Sequence, residues 1–286
     1  MGASPAHAGT LRYCDAPTEM SHEQRDRLLR FAEIVRTELQ TSGQRVALVA
    51  RAGLDLSRFE QRYSHAGLSL QGNAVAPWSV RQLYYACDEK RPRLFDQGLS
   101  AFLFGMSSPE GGYVSAVFLP DDASAPLERA ALDDRSALAL LAPVYSANAY
   151  VWGDRYQNCN QWVAEMLAMA WGGTSAGEGA RGQAQDWLRG QGYSAHEFRI
   201  AFPPTMWLSA VIPWVHHDDH PTEALAEGVY RVSMPSSLEA FARQRWPQAR
   251  RVEFCLAGNR AVVRQGWAPI AEGCQAEPGD RVVTFD

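Results

Sequence analysis

Leu28, Leu29, Phe31, Ile34, Val35 and Leu39 recur at helical spacing behind Ser21-His22-Glu23-Gln24, a capping-box sequence, and stop at Ser42-Gly43. The pattern predicts a helix over 22–41. Three segments then read as strands: a short apolar run over 45–52, an alternating one over 63–70, and 78–85, where Trp78, Val80, Gln82 and Tyr84 share one face. Leu94, Phe95, Leu99, Phe102 and Leu103 predict a helix over 93–105, followed by a strand over 113–119 ended by Pro120 and an Ala/Leu-rich helix over 127–141. Asn158-Cys159-Asn160-Gln161-Trp162-Val163 opens an apolar helix that runs to Trp171 and is closed by Gly172-Gly173; Asn158 is a favoured N-cap, which puts Cys159 in the first turn. A short helix follows over 184–188. The texture changes near residue 215, where His216-His217-Asp218-Asp219-His220-Pro221 precedes strands over 229–232, 252–256, 261–264 and 281–285 and a helix over 237–245. We read two units: a main domain over 9–214 and a small C-terminal α+β subdomain over 215–286, a surface available to a protein partner.

The chain has 286 residues, 46% hydrophobic and 21% charged, which excludes a disordered, collagenous or coiled-coil protein. Its formal charge of −5, with Lys90 as the single lysine, gives no electrostatic footprint for nucleic acid. No apolar run reaches the roughly 18 residues that a membrane helix requires. Ala6-His7-Ala8 before Gly9 reads like the end of a secretory signal whose earlier part is truncated, which predicts a periplasmic or secreted protein. Five cysteines fit that compartment. Three pairings of four cysteines are possible; chain proximity favours Cys255 with Cys274, elimination pairs Cys14 with Cys87, and Cys159 is left as the odd thiol.

Cys159 at a helix start meets unpaired backbone N–H groups that favour a thiolate and can donate to an oxyanion. A cysteine nucleophile needs a base, and His65, at the start of a predicted strand, provides an imidazole able to face a helix end. The same two residues also fit a buried structural thiol and a hydrogen-bonded strand histidine.

Ser64-His65-Ala66-Gly67 on a strand, with Asn158-Cys159-Asn160-Gln161 opening a later helix, resembles the circularly permuted branch of the papain-like cysteine hydrolases, the NlpC-type and lecithin–retinol-acyltransferase-type proteins, in which the His strand precedes the Cys helix. More narrowly, the segments beginning at Arg51, Tyr63, Trp78, Phe95 and Tyr156 resemble a bacterial exported domain family of unassigned activity, and the likeness spans most of residues 9–285. The resemblance implies an α+β fold, an antiparallel sheet packed on helices. It also implies a polar residue on the strand after the His that orients the imidazole: Gln82 matches by position, although the family uses Asn, His, Glu or Asp there, and Asn73 is the alternative. Tyr156 and Asn158 then either line the oxyanion site or, for Asn158 above all, cap the helix. The implied activity is thiol-dependent hydrolysis of an amide in a peptide, wall fragment or lipid-like molecule, or acyl transfer through the same thioester; a scaffold that keeps the fold without turnover is the rival.

No cofactor or metal is expected. The His216–His220 run has ligand chemistry, yet five adjacent residues in one extended segment do not converge on one ion, so it reads as a solvated loop dispensable for folding. Trp78, Tyr84, Tyr85 and Trp152 read as exposed aromatics suited to a groove or an interface.

Overall fold

The apolar run at 46–51 is continuous rather than alternating because the strand it forms is covered on both faces. In a computed structural model, which describes residues 20–200 and 212–285, this strand lies inside a large antiparallel sheet. The strands are β1 (Val46–Arg51), β2 (His65–Leu70), β3 (Ser79–Ala86), β4 (Arg91–Gln97), β5 (Gly111–Phe118), β6 (Val144–Tyr145), β7 (Tyr156–Gln157), β8 (His196–Arg199), β9 (Val229–Val232), β10 (Arg250–Ala257), β11 (Arg260–Gln265) and β12 (Arg281–Thr284). Eight of them form the sheet in the order β12-β11-β10-β5-β1-β2-β3-β4.

Successive β1 residues enter different cores. Ala47 and Val49 join Ala116, Phe118 and Phe254 beneath α1 (His22–Thr41) and α2 (Leu99–Phe104). Val46, Leu48 and Ala50 join Leu68 and Val117 against α3 (Asp121–Leu132), α5 (Cys159–Gly172), α6 (Ala180–Gly190) and α8 (Pro235–Arg245), the last preceded by the short α7 (Thr222–Ala226). The helix expected over 22–41 is α1, and Ser21 and Gln24 close the capping box from both sides. The architecture is thus α+β, with an antiparallel sheet between two helical layers.

Several elements differ from the sequence pattern. Leu94 and Phe95 lie in β4, so the helix expected over 93–105 is confined to α2; the end of a strand and the start of a helix had merged into one apparent period. The helix expected over 127–141 is two, α3 and α4 (Asp134–Ala139), because Asp133 closes the first and caps the second by accepting the Ser136 N–H at 3.0 Å. Trp78 and Tyr85 are buried, not exposed. The C-terminal strands expected in a separate subdomain are hydrogen-bonded into the central sheet, β10 pairing with β5 along its full length. Cys255 is joined to Cys274, and Cys159 is the free cysteine. Cys87 is disulfide-bonded, while its expected partner Cys14 lies outside the described residues. Among the described residues, no helix is long and apolar enough to cross a membrane.

Candidate active site

The site forms where two strands part. β2 and β3 pair only from Leu68↔Arg81 to Leu70↔Ser79, whereas β1 follows β2 down to Arg51↔His65 and β4 follows β3 to the end. Residues 65–67 of β2 therefore have an open flank. Gly67 allows the closest approach there, since a Cβ on it would stand 2.5 Å from Val80 Cγ1 and 3.2 Å from Gln82 Cβ.

Gln82 reaches across this wedge to His65, with its Oε1 2.5 Å from the ring Nε2. Its amide Nε2 donates to Gln97 Oε1 on β4 at 2.6 Å. With the amide N–H given to Gln97, the oxygen accepts from His65, which places the imidazole proton on Nε2 and leaves the lone pair on Nδ1.

The start of α5 docks on the same strand end. Asn160 Nδ2 donates to the Ser64 carbonyl at 3.2 Å, and the Ala66 N–H, adjacent to His65 in the chain, hydrogen-bonds the Cys159 sulfur. Asn158 caps the helix, accepting the Gln161 N–H at 2.7 Å while its amide donates to the Ala147 and Ser233 carbonyls.

Both side chains are enclosed: Cys159 is 5% exposed and His65 8%. Burial pushes the Cys159 thiol up to about 11, against the Ala66 N–H, the Arg51 guanidinium and the N–H groups of Asn160 and Cys159 itself, which all favour the thiolate. Burial, reinforced by repulsion from Arg51, lowers His65 to about 3, and the Gln82 hydrogen bond only partly opposes this. Each group therefore rests neutral, a thiol and an imidazole, and the thiolate favoured by a helix start is outweighed by desolvation. A cavity of about 20 Å³, enough for one water molecule, adjoins His65 and is lined by Leu83, Tyr84, Tyr85 and Tyr145.

Of the residues singled out in the sequence, His65 and Gln82 are joined by a hydrogen bond, and Cys159 is bonded to the Ala66 N–H one residue along the same strand. Tyr156 does not join them: its hydroxyl donates to Asp218 at 2.8 Å and its ring stacks on His216 at 4.4 Å. Asn158 is consumed by capping. Asn73, the alternative orienting residue, donates to Asp96 at 2.6 Å and accepts the Val75 N–H at 2.9 Å, which fixes the turn between β2 and β3. Arg51 and Gln97 belong to the site and carried no sequence signal; only the strand register brings them there.

The His216–His220 segment is not a solvated loop. His220 is buried and its Nε2 donates to the Asn148 carbonyl at 2.7 Å, while Asp219 accepts the Tyr150 N–H at 2.8 Å. Among the described residues, no group of three or more His, Cys, Asp or Glu side chains is placed to hold a metal ion.

The model of one protein family, described as "Uncharacterized protein conserved in bacteria (DUF2145)", matches residues 38–242. No curated protein and no solved structure matches the chain.

Proposed function

The chain belongs to that bacterial family, and from this premise and the wedge between β2 and β3 we propose a thiol-dependent hydrolase of the bacterial envelope. The observation that carries the reading is the hydrogen bond from His65 to Gln82 together with a free cysteine at a helix start that is bonded to the next residue of the same strand, Ala66. Cys159 Sγ attacks the acyl carbonyl of an amide while His65 Nδ1 accepts the thiol proton, and the C–N bond breaks as that proton passes to the leaving amine. Water then attacks the thioester with His65 again as base, which frees the acid and restores the thiol. Gln82, backed by Gln97, holds the proton on Nε2 and so keeps Nδ1 free to act as the base. The backbone N–H groups of Cys159 and Asn160 give the developing oxyanion its donors. An acceptor other than water turns the same thioester to acyl transfer. The Cys255–Cys274 bridge supports an oxidising compartment, hence the envelope and its peptides, wall fragments and lipid-like amides as substrates.

The closure of the site favours a second reading, a papain-like scaffold without turnover. Hydrolysis of a panel of peptide, muropeptide and N-acyl lipid amides by the purified protein separates the two. The hydrolase reading expects turnover that falls by about 10²-fold or more in both Cys159→Ser and His65→Ala, and less in Gln82→Ala. Absence of turnover across the panel, with Cys159 unlabelled by thiol-directed acyl mimics until the protein is unfolded, would establish the scaffold.

A further inference from the structure

Four arginines among the described residues are less than a tenth exposed: Arg51, Arg181, Arg251 and Arg264. Three of them meet carboxylates, Arg181 on Glu165 at 2.9 Å, Arg251 on Glu239 at 2.8 Å and Arg264 on Asp280 at 2.7 Å. Arg51 is different. It donates to the Gly105 carbonyl, reaches the Tyr84 hydroxyl at 3.5 Å and lies over the Phe102 ring at 5.3 Å, and all of these partners are uncharged. Its Nε is buried with no hydrogen-bond partner. Among the described residues no carboxylate pairs with it, and a full charge buried without a counter-charge is among the most costly arrangements in a fold, yet this fold makes room for it. A Cβ on Gly53 would stand 2.7 Å from Nη1, and one on Gly105 would overlap the guanidinium.

The position of this cation is specific. Arg51 stands directly opposite His65 in the β1–β2 register, so the two side chains rise from the same face with Cβ atoms about 5 Å apart. An imidazolium at His65 would face an existing positive charge. Cys159, held by the Ala66 N–H one residue along β2, carries the thiol whose anion Arg51 favours. The other titratable neighbours are His65 on β2 and Tyr84 on β3; α2 and its end bring the Phe102 ring and the Gly105 carbonyl, and the carboxylate of α5, Glu165, is bound to Arg181.

We propose that Arg51 is the built-in counter-cation of the Cys159 thiolate, and that His65 works beside it as a neutral base rather than as the imidazolium half of an ion pair. Ionisation breaks the Sγ–H bond and gives the proton to solvent in the free protein, or to His65 as the C–S bond forms; no electron transfer is involved. The inference rests on the thiol reading of the site and adds to it the source of the compensating charge.

The test is a titration of the ultraviolet thiolate absorbance of Cys159, taken as the difference between the protein and its Cys159→Ser variant, from about pH 8 to about pH 12.5, with far-ultraviolet circular dichroism at each pH to show that the fold persists. Arg51→Gln is expected to raise the ionisation midpoint by at least about one unit, leaving roughly tenfold less thiolate at any pH below it, while Arg51→Lys keeps most of the effect. His65→Gln is expected to leave the midpoint in place or lower, where an imidazolium partner would require a rise. Gly105→Ala, which keeps the charge and displaces the guanidinium, is expected to move the midpoint in the same direction as Arg51→Gln and decides the matter should Arg51→Gln fail to fold. An unmoved midpoint in folded Arg51→Gln, or in Gly105→Ala where the former does not fold, overturns the proposal, as does a rise in His65→Gln. Because the titration needs no substrate, a shifted midpoint without turnover removes the hydrolase and keeps the counter-cation. Turnover with an unmoved midpoint does the reverse.

Discussion

At the scale of single residues, what distinguishes the site is that both titratable groups are held in their neutral forms by exclusion of water. For His65 the consequence for stability has a definite sign. Its folded value of about 3 lies below the ordinary 6.5, so between those limits the unfolded chain binds a proton that the folded one refuses. The stability this buried neutral ring provides is complete above about pH 6.5 and is lost as pH falls toward 3, at up to about 1.4 kcal/mol per pH unit. Cys159 works at the other end. Its raised value means that the folded state retains a proton the unfolded state gives up, and stability falls as pH rises from about 9 toward 11. Urea unfolding of the protein and of His65→Gln at about pH 4 to 7 checks the acidic limb. The variant, with no ring to protonate, is expected to show a shallower loss over that range. Parallel curves would mean that His65 is as solvated folded as unfolded.

At the scale of elements, the sequence was most readable where local chemistry decides the outcome. The α1 capping box, the Asn158 cap and the helix-start position of Cys159 each need only a few neighbouring residues, and all three form. His65 and Gln82 were readable as positions on successive strands, because a period of two assigns a face. Arg51 was not, since its proposed role comes from a cross-strand partner and from the lack of a carboxylate partner among the described residues, and neither is a property of its own segment. The His216–His220 run misled for a related reason: its polar residues look solvated in sequence but are spent on the 148–157 segment that leads into α5. His216 stacks on Tyr156, His217 Nδ1 lies 3.2 Å from Asn148 Nδ2, and His220 packs on Tyr150 and Tyr230 at 5.3 and 4.9 Å. Replacing all three histidines by Ala is therefore expected to cost stability, about 2–4 kcal/mol for the lost rings and the buried acceptors left unpaired. Chemical denaturation measures this directly. A variant as stable as the parent would return the segment to the solvated loop that its composition suggests.

At the scale of the whole molecule, the family match ends at residue 242, inside α8 and before β10, while the sheet continues through β10 and β11 to β12. The three C-terminal strands are of unequal weight. β12 is an edge strand whose residues are largely exposed, and its loss leaves the inner pairings intact. β10 is internal: Val252, Phe254 and Leu256 fill the core beneath α1 and α2. It also carries a buried polar network. Arg251 pairs with Glu239 of α8 at 2.8 Å, and Glu253 accepts from the Tyr63 hydroxyl, from Arg62 at 3.1 Å and from the Ile270 N–H at 2.5 Å. Tyr63 and Arg62 stand immediately before Ser64 and His65, so this network bears on the strand end that presents the imidazole. Ending the chain after residue 249 would strip the full length of β5 of its partner, leave an apolar edge eight residues long, and strand Glu239 and Tyr63 without their charged neighbours. A chain ending at 249 is accordingly expected to aggregate or to lack a cooperative unfolding transition, whereas one ending at 280 keeps a single transition at a lower midpoint. Size-exclusion chromatography and thermal unfolding of the two truncations compare them. A monomeric 1–249 chain with cooperative unfolding would show instead that the matched region folds alone and that the C-terminal strands are an addition to it.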